Sequence, residues 1–452
     1  MDALVKNRFA RRGALFALCA QTVLATWLLS GTRPEFLLPM FAAALIAFAF
    51  CVAGGMFARD GVFAKTLAFA SLFFIIVCAV QYFNPFAEYV VREKFSFLAG
   101  RAHVEWLPVS VRAEFAQGNA LSSLCVLLAA FLTTLSAAAF SSDRRAMRGL
   151  LALFAVNTLL MGAFAVWQQA EKIPMPYGIF HTRASFYGSF FLSNAAGAYL
   201  NMGVAALAAC AAAFARRGAA GGAFAVFCAA GAAFASYASV RSGSQGAAII
   251  CALLWCAIFI AAAWRGLACA FGEKISAAAL SLFLLAAGAA AAFCAADVLE
   301  PSDLLSDRQI EESAVSRIAI YKSAVPLAKE RPVWGAGGEC SRYILPMIRK
   351  PGASSVAEAP TRPHSDALEY VLDFGISGAA VLAACGAAWA AQIWKNRRAL
   401  GFANAVCAAG ALSCLAHGTF DMELHIPSAM IAFGLMCVFS FSPFNRGGRR
   451  EV

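Results

Sequence analysis

The chain has 452 residues, of which 61% are hydrophobic and only 13% charged, with a formal net charge of +11. Soluble domains are close to half apolar and a quarter charged, so this composition excludes an ordinary soluble protein and defines a polytopic membrane protein. The basic excess does not call for nucleic acid, because lysine and arginine placement sets membrane topology.

The N-terminal stretch MDALVKNRFARRG is basic, and the apolar run after it leads directly into further helices, so no cleaved signal is expected. Twelve apolar runs follow, near 13–30, 36–58, 62–82, 119–141, 149–168, 190–215, 219–240, 247–263, 277–297, 367–391, 402–420 and 427–443. Each is long enough to cross about 30 Å of hydrocarbon at about 1.5 Å per residue. The expected fold class is an all-α polytopic membrane protein with about 12 transmembrane helices and a large, partly helical periplasmic loop between helices 9 and 10. Residues 1–297 hold helices 1–9, residues 298–366 the loop, and residues 367–452 helices 10–12 with a tail.

With the N-terminus inside, the inner segments carry nineteen of the thirty-six lysines and arginines, and the outer segments apart from the long loop carry eight. Both termini are therefore expected in the cytoplasm and the loop outside. The nine basic residues left in the loop are not needed for topology. All five histidines, His103, His181, His364, His417 and His425, fall on that same outer side.

Between the third and fourth helices, NPFAEYVVREKFSFLAGRAHVEWLPVS mixes aromatics with charges and reads as an interfacial segment. Before the sixth helix, HTRASFYGSFFLSNAAGAYL places Arg183 and Asn194 near the outer boundary, and Gly188, Ala195, Ala196 and Gly197 allow helices to approach closely. At the turn between helices seven and eight, SVRSGSQGAAII sets Arg241 and Gln245 four apart, on one face if the helix continues. An arginine at membrane depth is costly and is a functional suspect by default, snorkelling being the structural alternative.

From Arg317 to Arg362 the loop carries eight basic residues against three acidic ones, net +5. Such an excess suits a phosphate-bearing substrate or, equally, anionic lipid headgroups. Ala314 to Lys329 has helical spacing through Ile318, Tyr321, Val325 and Ala328, with Arg317 on the Tyr321 side and Lys322 beside it; its apolar stripe would lie on the membrane. Beyond Arg331, the run from Pro332 to Gly338 breaks that helix. Asp366 with Glu369 reads as an N-cap and partner carboxylate, which places His364 just before a helix N-terminus that favours an anion. Finally AHGTFDMELHIPS gathers His417, Asp421, Glu423 and His425, either as catalytic groups or as a polar network pinning the last hairpin. Cys340 is the loop's one cysteine, which excludes a disulfide framework there, and no CxxC or HxxxH spacing suggests a metal cage. No metal or cofactor is expected.

In order, GSFFLSN with AYL, SGSQGA, SRIAIYKSA with ERPVWGAGG, PHSDALEYVLDFGISG and HGTFDMELHIPS resemble the O-antigen ligase and polymerase superfamily of bacterial inner-membrane proteins, from about Gly188 to Pro427. The twelve-helix plan with a large outer loop after helix nine is also that family's. The resemblance implies a periplasmic active site that transfers a glycan from an undecaprenyl-pyrophosphate carrier to an acceptor hydroxyl. That acceptor is lipid A core for ligases, a growing glycan for polymerases and a protein hydroxyl for some relatives; membrane lipid is a partner and nucleic acid is not.

Residue by residue, the family arginine before the P-x-x-G-x-G turn corresponds to Arg317. The family histidine, usually followed by Asn, corresponds to His364, here followed by Ser365 and Asp366. Where the family has Ser-Arg-Gly, this chain has Ser244, Gln245 and Gly246, which leaves Arg241, one turn earlier, as the replacement. Asp421 corresponds to the closing acidic motif, in a structural or orienting role. The resemblance thus implies His364, Arg317 and Arg241 as catalytic groups and Arg183, Asn194, Gln245, Tyr321, Lys322, Arg331, Asp366 and Asp421 as substrate contacts. A glycosyl pyrophosphate already carries a good leaving group, so the arginines would stabilise the diphosphate and His364 would take or align the hydroxyl proton, without a metal. A twelve-helix transporter is the alternative of another class; such carriers usually place their long loop inside, between helices six and seven.

Overall fold

The structure, a computed structural model, describes residues 2–57, 61–92, 95–181, 185–215, 217–269, 307–348 and 362–444. The predicted apolar run at 277–297 lies outside them. Long helices dominate: α1 (Asp2–Trp27), α2 (Pro34–Ala53), α3 (Val62–Phe83), α4 (Ala120–Ala139), α5 (Arg144–Ala170), α6 (Ser193–Phe214), α7 (Gly218–Arg241) and α8 (Gln245–Cys269). After them come α9 (Asp307–Glu330), the short α10 (Ser341–Ile344), α11 (Asp366–Asn396), α12 (Phe402–Gly418) and α13 (Pro427–Phe441). The other eleven predicted runs fall on α1–α8 and α11–α13. Among the described residues, eight helices, α2–α8 and α11, are long and apolar enough to cross a membrane, which makes this a helical, polytopic membrane protein; α12 and α13 are apolar but shorter.

The bundle closes around α6, which packs on α5, α7, α8, α12 and α13. Its sequence, SNAAGAYLNMGVAALAACAAAF, is mostly Ala and Gly, so neighbouring backbones come close on every side and nearly all of it is buried. A side chain at Gly203 would meet Thr158 at 2.0 Å, and one at Gly197 would meet Ala247 at 2.4 Å. The small residues expected to permit close packing before helix six do so at Gly197.

The helical, polytopic reading holds, and one small sheet accompanies the helices. The segment read as interfacial folds into a three-stranded sheet of order β2-β1-β3, from β1 (Pro85–Arg92), β2 (Phe95–Gly100) and β3 (Ser110–Arg112). β1 pairs antiparallel with β2, from Ala87 opposite Gly100 to Arg92 opposite Phe95, and parallel with β3. Aromatic and β-branched residues such as Phe86, Tyr89, Val90, Phe97 and Val111 suit a pleated, half-buried surface, and their charged neighbours masked the alternation in sequence. One face covers the turn before α10: Val111 packs with Ala336, Cys340 and Tyr343, and the Tyr89 and Tyr343 rings lie 4.7 Å apart.

α11 is not continuous. At Gly375 the backbone is left-handed (φ 64°, ψ −166°), and the freed groups pair with the segment that enters beside the break. Ala336 N donates to Leu372 O at 2.7 Å and Gly337 N to Asp373 O at 3.0 Å; Ile376 N donates to Pro332 O at 2.8 Å and Ser377 N to Val333 O at 3.2 Å. Irregular backbone within a bundle is stable only when protein satisfies it, and here the Pro-Val-Trp-Gly-Ala-Gly turn does so. A side chain at Gly375 would approach Val333 O at 2.3 Å, and one at Gly335 would meet Asp373 O at 2.6 Å. Gly375→Ala should therefore destabilise the protein by about 2 kcal/mol or more, read as a lower unfolding temperature in detergent, whereas Gly386→Ala, which meets open space, should leave it unchanged.

Candidate active site

The polar residues that the sequence scattered over four motifs meet at the end of the bundle formed by the start of α6, the α7–α8 turn, the start of α11 and the α12–α13 connection. Asp421, almost fully buried, is their common partner. His364 Nδ1 lies 3.4 Å from Asp421 Oδ1, and Arg317 NH2 lies 3.8 Å from Oδ2. Asn194 also donates its side-chain amide to Oδ2, and the Met422 N–H donates to Oδ1 at 2.9 Å. The Arg317 guanidinium stands over the Phe420 ring, 5.8 Å from its centre. Tyr321, one turn after Arg317 on α9, donates its hydroxyl to His364 O at 2.9 Å. The predicted helical face shared by Arg317 and Tyr321 is thus used as one face. Ile318 and Val325 on the same helix stay exposed, while Ala324, Leu327 and Ala328 pack with Leu345 and Leu372.

His364 adopts a left-handed backbone (φ 50°), uncommon for a residue with a side chain. Its imidazole is about a third exposed, at 33%, and Arg317 is 27% exposed, so both keep a free side while Asp421 does not. His364 and Asp421 border a cavity of about 50 Å³, lined also by Ser185, Ser193, Asn194 and Glu423, among others. Burial works to raise the Asp421 pKa, but the hydrogen bond and charge of His364, with the charges of His417 and Arg317, outweigh it and hold the carboxyl below its ordinary range. The site therefore retains an anion that orients imidazole and guanidinium together.

Of the other predicted residues, Arg183 lies outside the described ones. Arg241 ends α7 and donates through Nε to Gln169 at 3.2 Å. Gln245 opens α8 in a turn that packs on the site: a side chain at Gly246 would meet Phe420 at 2.5 Å and His417 at 2.9 Å. Lys322 is exposed on α9. Arg331 stacks on the Phe86 ring at 4.5 Å and borders a second, larger cavity of about 250 Å³ between the sheet and α9–α11. Asp366 requires a correction, because the N-cap of α11 is Ser365, without a side-chain cap bond. The Asp366 carboxylate instead accepts the Leu424 N–H at 3.0 and 3.1 Å and faces His425 Nδ1 at 2.9 Å. It holds the α12–α13 connection, and its own N–H donates to Asp421 O at 2.9 Å. Glu369, the expected cap partner, faces Arg362.

Beside the site lies a buried lattice that the sequence reading did not isolate. Arg362 bridges Glu339 and Glu369, with NH2 at 2.6 Å from Glu339 Oε2, and Arg342 Nε lies 2.5 Å from the same oxygen. Despite burial, which works to raise it, the Glu339 pKa is held at about 2 by the charges of Arg342 and Arg362. Two buried sets of donors, Glu369 with Asp373 and His425, and His417 with Asp421 and Glu423, bring their ligand atoms within 4.8 Å of one another, close enough to share a cation. The second set lies within the His417 to His425 cluster already visible in sequence, whereas Glu369 and Asp373 stand more than fifty residues before His425 and meet it only in the fold.

These features define a polytopic membrane protein with an Arg–His–Asp site at one end of its helical bundle. Within that class, residues 230–383, about a third of the chain, match the family model described as O-antigen ligase, which bears out the resemblance to the O-antigen ligase superfamily. The matched stretch contains Arg241, Gln245, Arg317 and His364, while Asn194 and Asp421 lie outside it and join the site only in the fold. No curated protein matches the chain.

The lattice makes a pH prediction. Because the Glu339 pKa is depressed from 4.5 to about 2, its contribution to stability is complete above pH 4.5 and is lost as pH falls toward 2. The unfolding temperature in detergent should fall across that window for the wild type. Glu339→Gln should start lower at neutral pH and fall less steeply through the same window.

Proposed function

We propose that the protein transfers a glycan from an undecaprenyl-pyrophosphate carrier to an acceptor hydroxyl at the periplasmic face of the bacterial inner membrane, with lipid A core as the preferred acceptor class. The observation that carries this reading is one buried carboxylate, Asp421, facing a partly exposed imidazole that borders a cavity and a partly exposed guanidinium on its other oxygen. On this reading the His364 Nδ1–H is held by Asp421, so Nε2 accepts the acceptor's hydroxyl proton. The hydroxyl oxygen bonds to the anomeric carbon as the bond from that carbon to the phosphate oxygen breaks, with inversion. The pyrophosphate leaves with its negative charge, which Arg317 stabilises in a water-poor site. Arg241 and Lys322 add positive charge on the donor's path, and Asn194 and Tyr321 keep Asp421 and His364 in place. A polymerase that uses a growing glycan as acceptor, or a transferase to protein hydroxyls, would use the same groups.

The accompanying topology has twelve spans, both termini in the cytoplasm and α9 outside. It is supported by the basic-residue count and by the gathering of α9, the sheet and the Asp421 site at one end of the helices. Cys340 is buried and unsuitable as a probe. In a background without other accessible thiols, Ser323→Cys, exposed on α9, should react with a membrane-impermeant reagent in intact spheroplasts. Ala399→Cys, exposed between α11 and α12, should react only after the membrane is opened. The opposite pattern reverses the map.

Transfer is tested with purified protein, an undecaprenyl-pyrophosphate glycan and candidate acceptors. His364→Ala should lose about 10²- to 10⁴-fold in rate while still binding donor, and Arg317→Lys roughly ten- to hundredfold because the planar fork is lost. Wild-type rates from both variants at equal protein level would remove this site from the reaction. Product lost to a chelator would give the two buried donor sets a cation-dependent part.

A further inference from the structure

Arg362 is one of the loop's basic residues that charge alone would assign to a phosphate. Its surroundings exclude that use: it is 8% exposed, and both terminal nitrogens are committed, NH2 to Glu339 at 2.6 Å and NH1 to Glu369. The acids it joins are themselves fixed. Glu339 has a left-handed backbone (φ 64°), donates its N–H to Asp373 Oδ2 at 2.9 Å and is shared with Arg342. Glu369, fully buried on α11, also accepts the Ser341 hydroxyl at 3.2 Å.

The clamp therefore ties three segments, the turn before α10, the chain entering α11, and α11 itself. Pro363 alone separates Arg362 from His364, and proline's ring fixes its own φ. A left-handed residue such as His364 persists only where its surroundings over-determine it. Tyr321 holds its carbonyl and Asp421 its ring, and the clamp sits two residues upstream. A buried arginine between two acids gives little stability relative to apolar residues of the same shape, so its use here has to be geometric.

We propose that Arg362 is a positioning residue for the transfer reaction, bridging Glu339 and Glu369 so that His364 enters α11 facing Asp421. This inference rests on the role given to His364 above.

The test separates geometry from stability. Removing one charge of a buried set leaves the others unpaired, whereas removing Arg362, Glu339 and Glu369 together relieves that penalty, since Arg342, 36% exposed, can turn to water. Arg362→Met should therefore lower both the unfolding temperature and kcat. Arg362→Met combined with Glu339→Gln and Glu369→Gln should regain the unfolding temperature, yet keep kcat down at least about tenfold with donor KM within about twofold, the pattern of an effect confined to the transition state. A second readout is independent of transfer: the rate at which diethylpyrocarbonate modifies His364, followed by mass spectrometry, should change in the triple variant. Arg362→Lys, which keeps the charge but cannot bridge two acids as a planar fork, should show the same kcat loss and changed His364 reactivity, and serves if the triple variant does not fold.

Wild-type kcat and wild-type His364 reactivity in a refolded triple variant, or in Arg362→Lys, would make the clamp purely structural and overturn the proposal. A raised donor KM with unchanged kcat would overturn it too, by making Arg362 a substrate contact. If wild-type protein transfers no glycan, the functional reading fails, while the His364 reactivity still decides whether Arg362 sets the imidazole.

Discussion

A polar backbone group inside a membrane bundle has no water to turn to, and the break in α11 at Gly375 is where this protein meets that constraint. The four main-chain hydrogen bonds between 332–337 and 372–377 satisfy the break, and they also fix where the chain goes next. Two residues beyond them, Glu339 donates its N–H to Asp373 and reaches Arg362. From Arg362 the chain passes through Pro363 to His364 and into α11. The sheet lies over this turn through Val111, Ala336, Cys340 and Tyr343. An interruption that would be a defect in an isolated helix thus becomes the datum from which the site is measured.

Charge in the segment between α8 and α11 divides by burial. Arg342 and Arg362 neutralise Glu339 and Glu369 inside the protein, and Arg331 lies on the Phe86 ring. Arg317 differs: its contact with Asp421 is long at 3.8 Å, and its guanidinium keeps an open side. A bare count of net positive charge treats these arginines alike. A charge paired at hydrogen-bond distance with a buried acid is already satisfied, whereas a partly exposed one facing a more distant carboxylate can still gain from an incoming anion.

What was legible in the sequence follows from what has a period or a cost. The long helices were visible because apolar length is a strong signal, and the shared face of Arg317 and Tyr321 because helical spacing puts residues four apart together. The break in α9 at Pro332 was marked by Pro and Gly. The sheet was hidden by charges interleaved with its aromatics. Asp366 was misread because the capping pattern is local, whereas its carboxylate is claimed by Leu424 and His425, more than fifty residues away. Arg362 was counted as a charge because its acids come from two other segments, one on either side in sequence, and no spacing rule joins them. The convergence of Asn194, Arg317, His364 and Asp421 is likewise a tertiary fact, for which the order of motifs gave the members but not the geometry.

That geometry divides the work of one carboxylate. Asp421 Oδ1 takes the His364 imidazole and the Met422 N–H; Oδ2 takes the Asn194 amide and, at longer range, Arg317. On the proposed reading, a donor phosphate draws on the weaker of these four contacts. As Arg317 turns to the phosphate, Oδ2 retains Asn194, so Asp421 stays fixed by hydrogen bonds on both oxygens. Losing one cationic neighbour leaves the Asp421 carboxylate facing His364 as its remaining ring partner when the donor is bound. Asn194 is then what allows Arg317 to leave without loosening the carboxylate, and a hydrophobic residue there would couple donor binding to disorder at the base. The same side chain thereby links α6, the most buried of the eight long apolar helices, to a reaction at its edge.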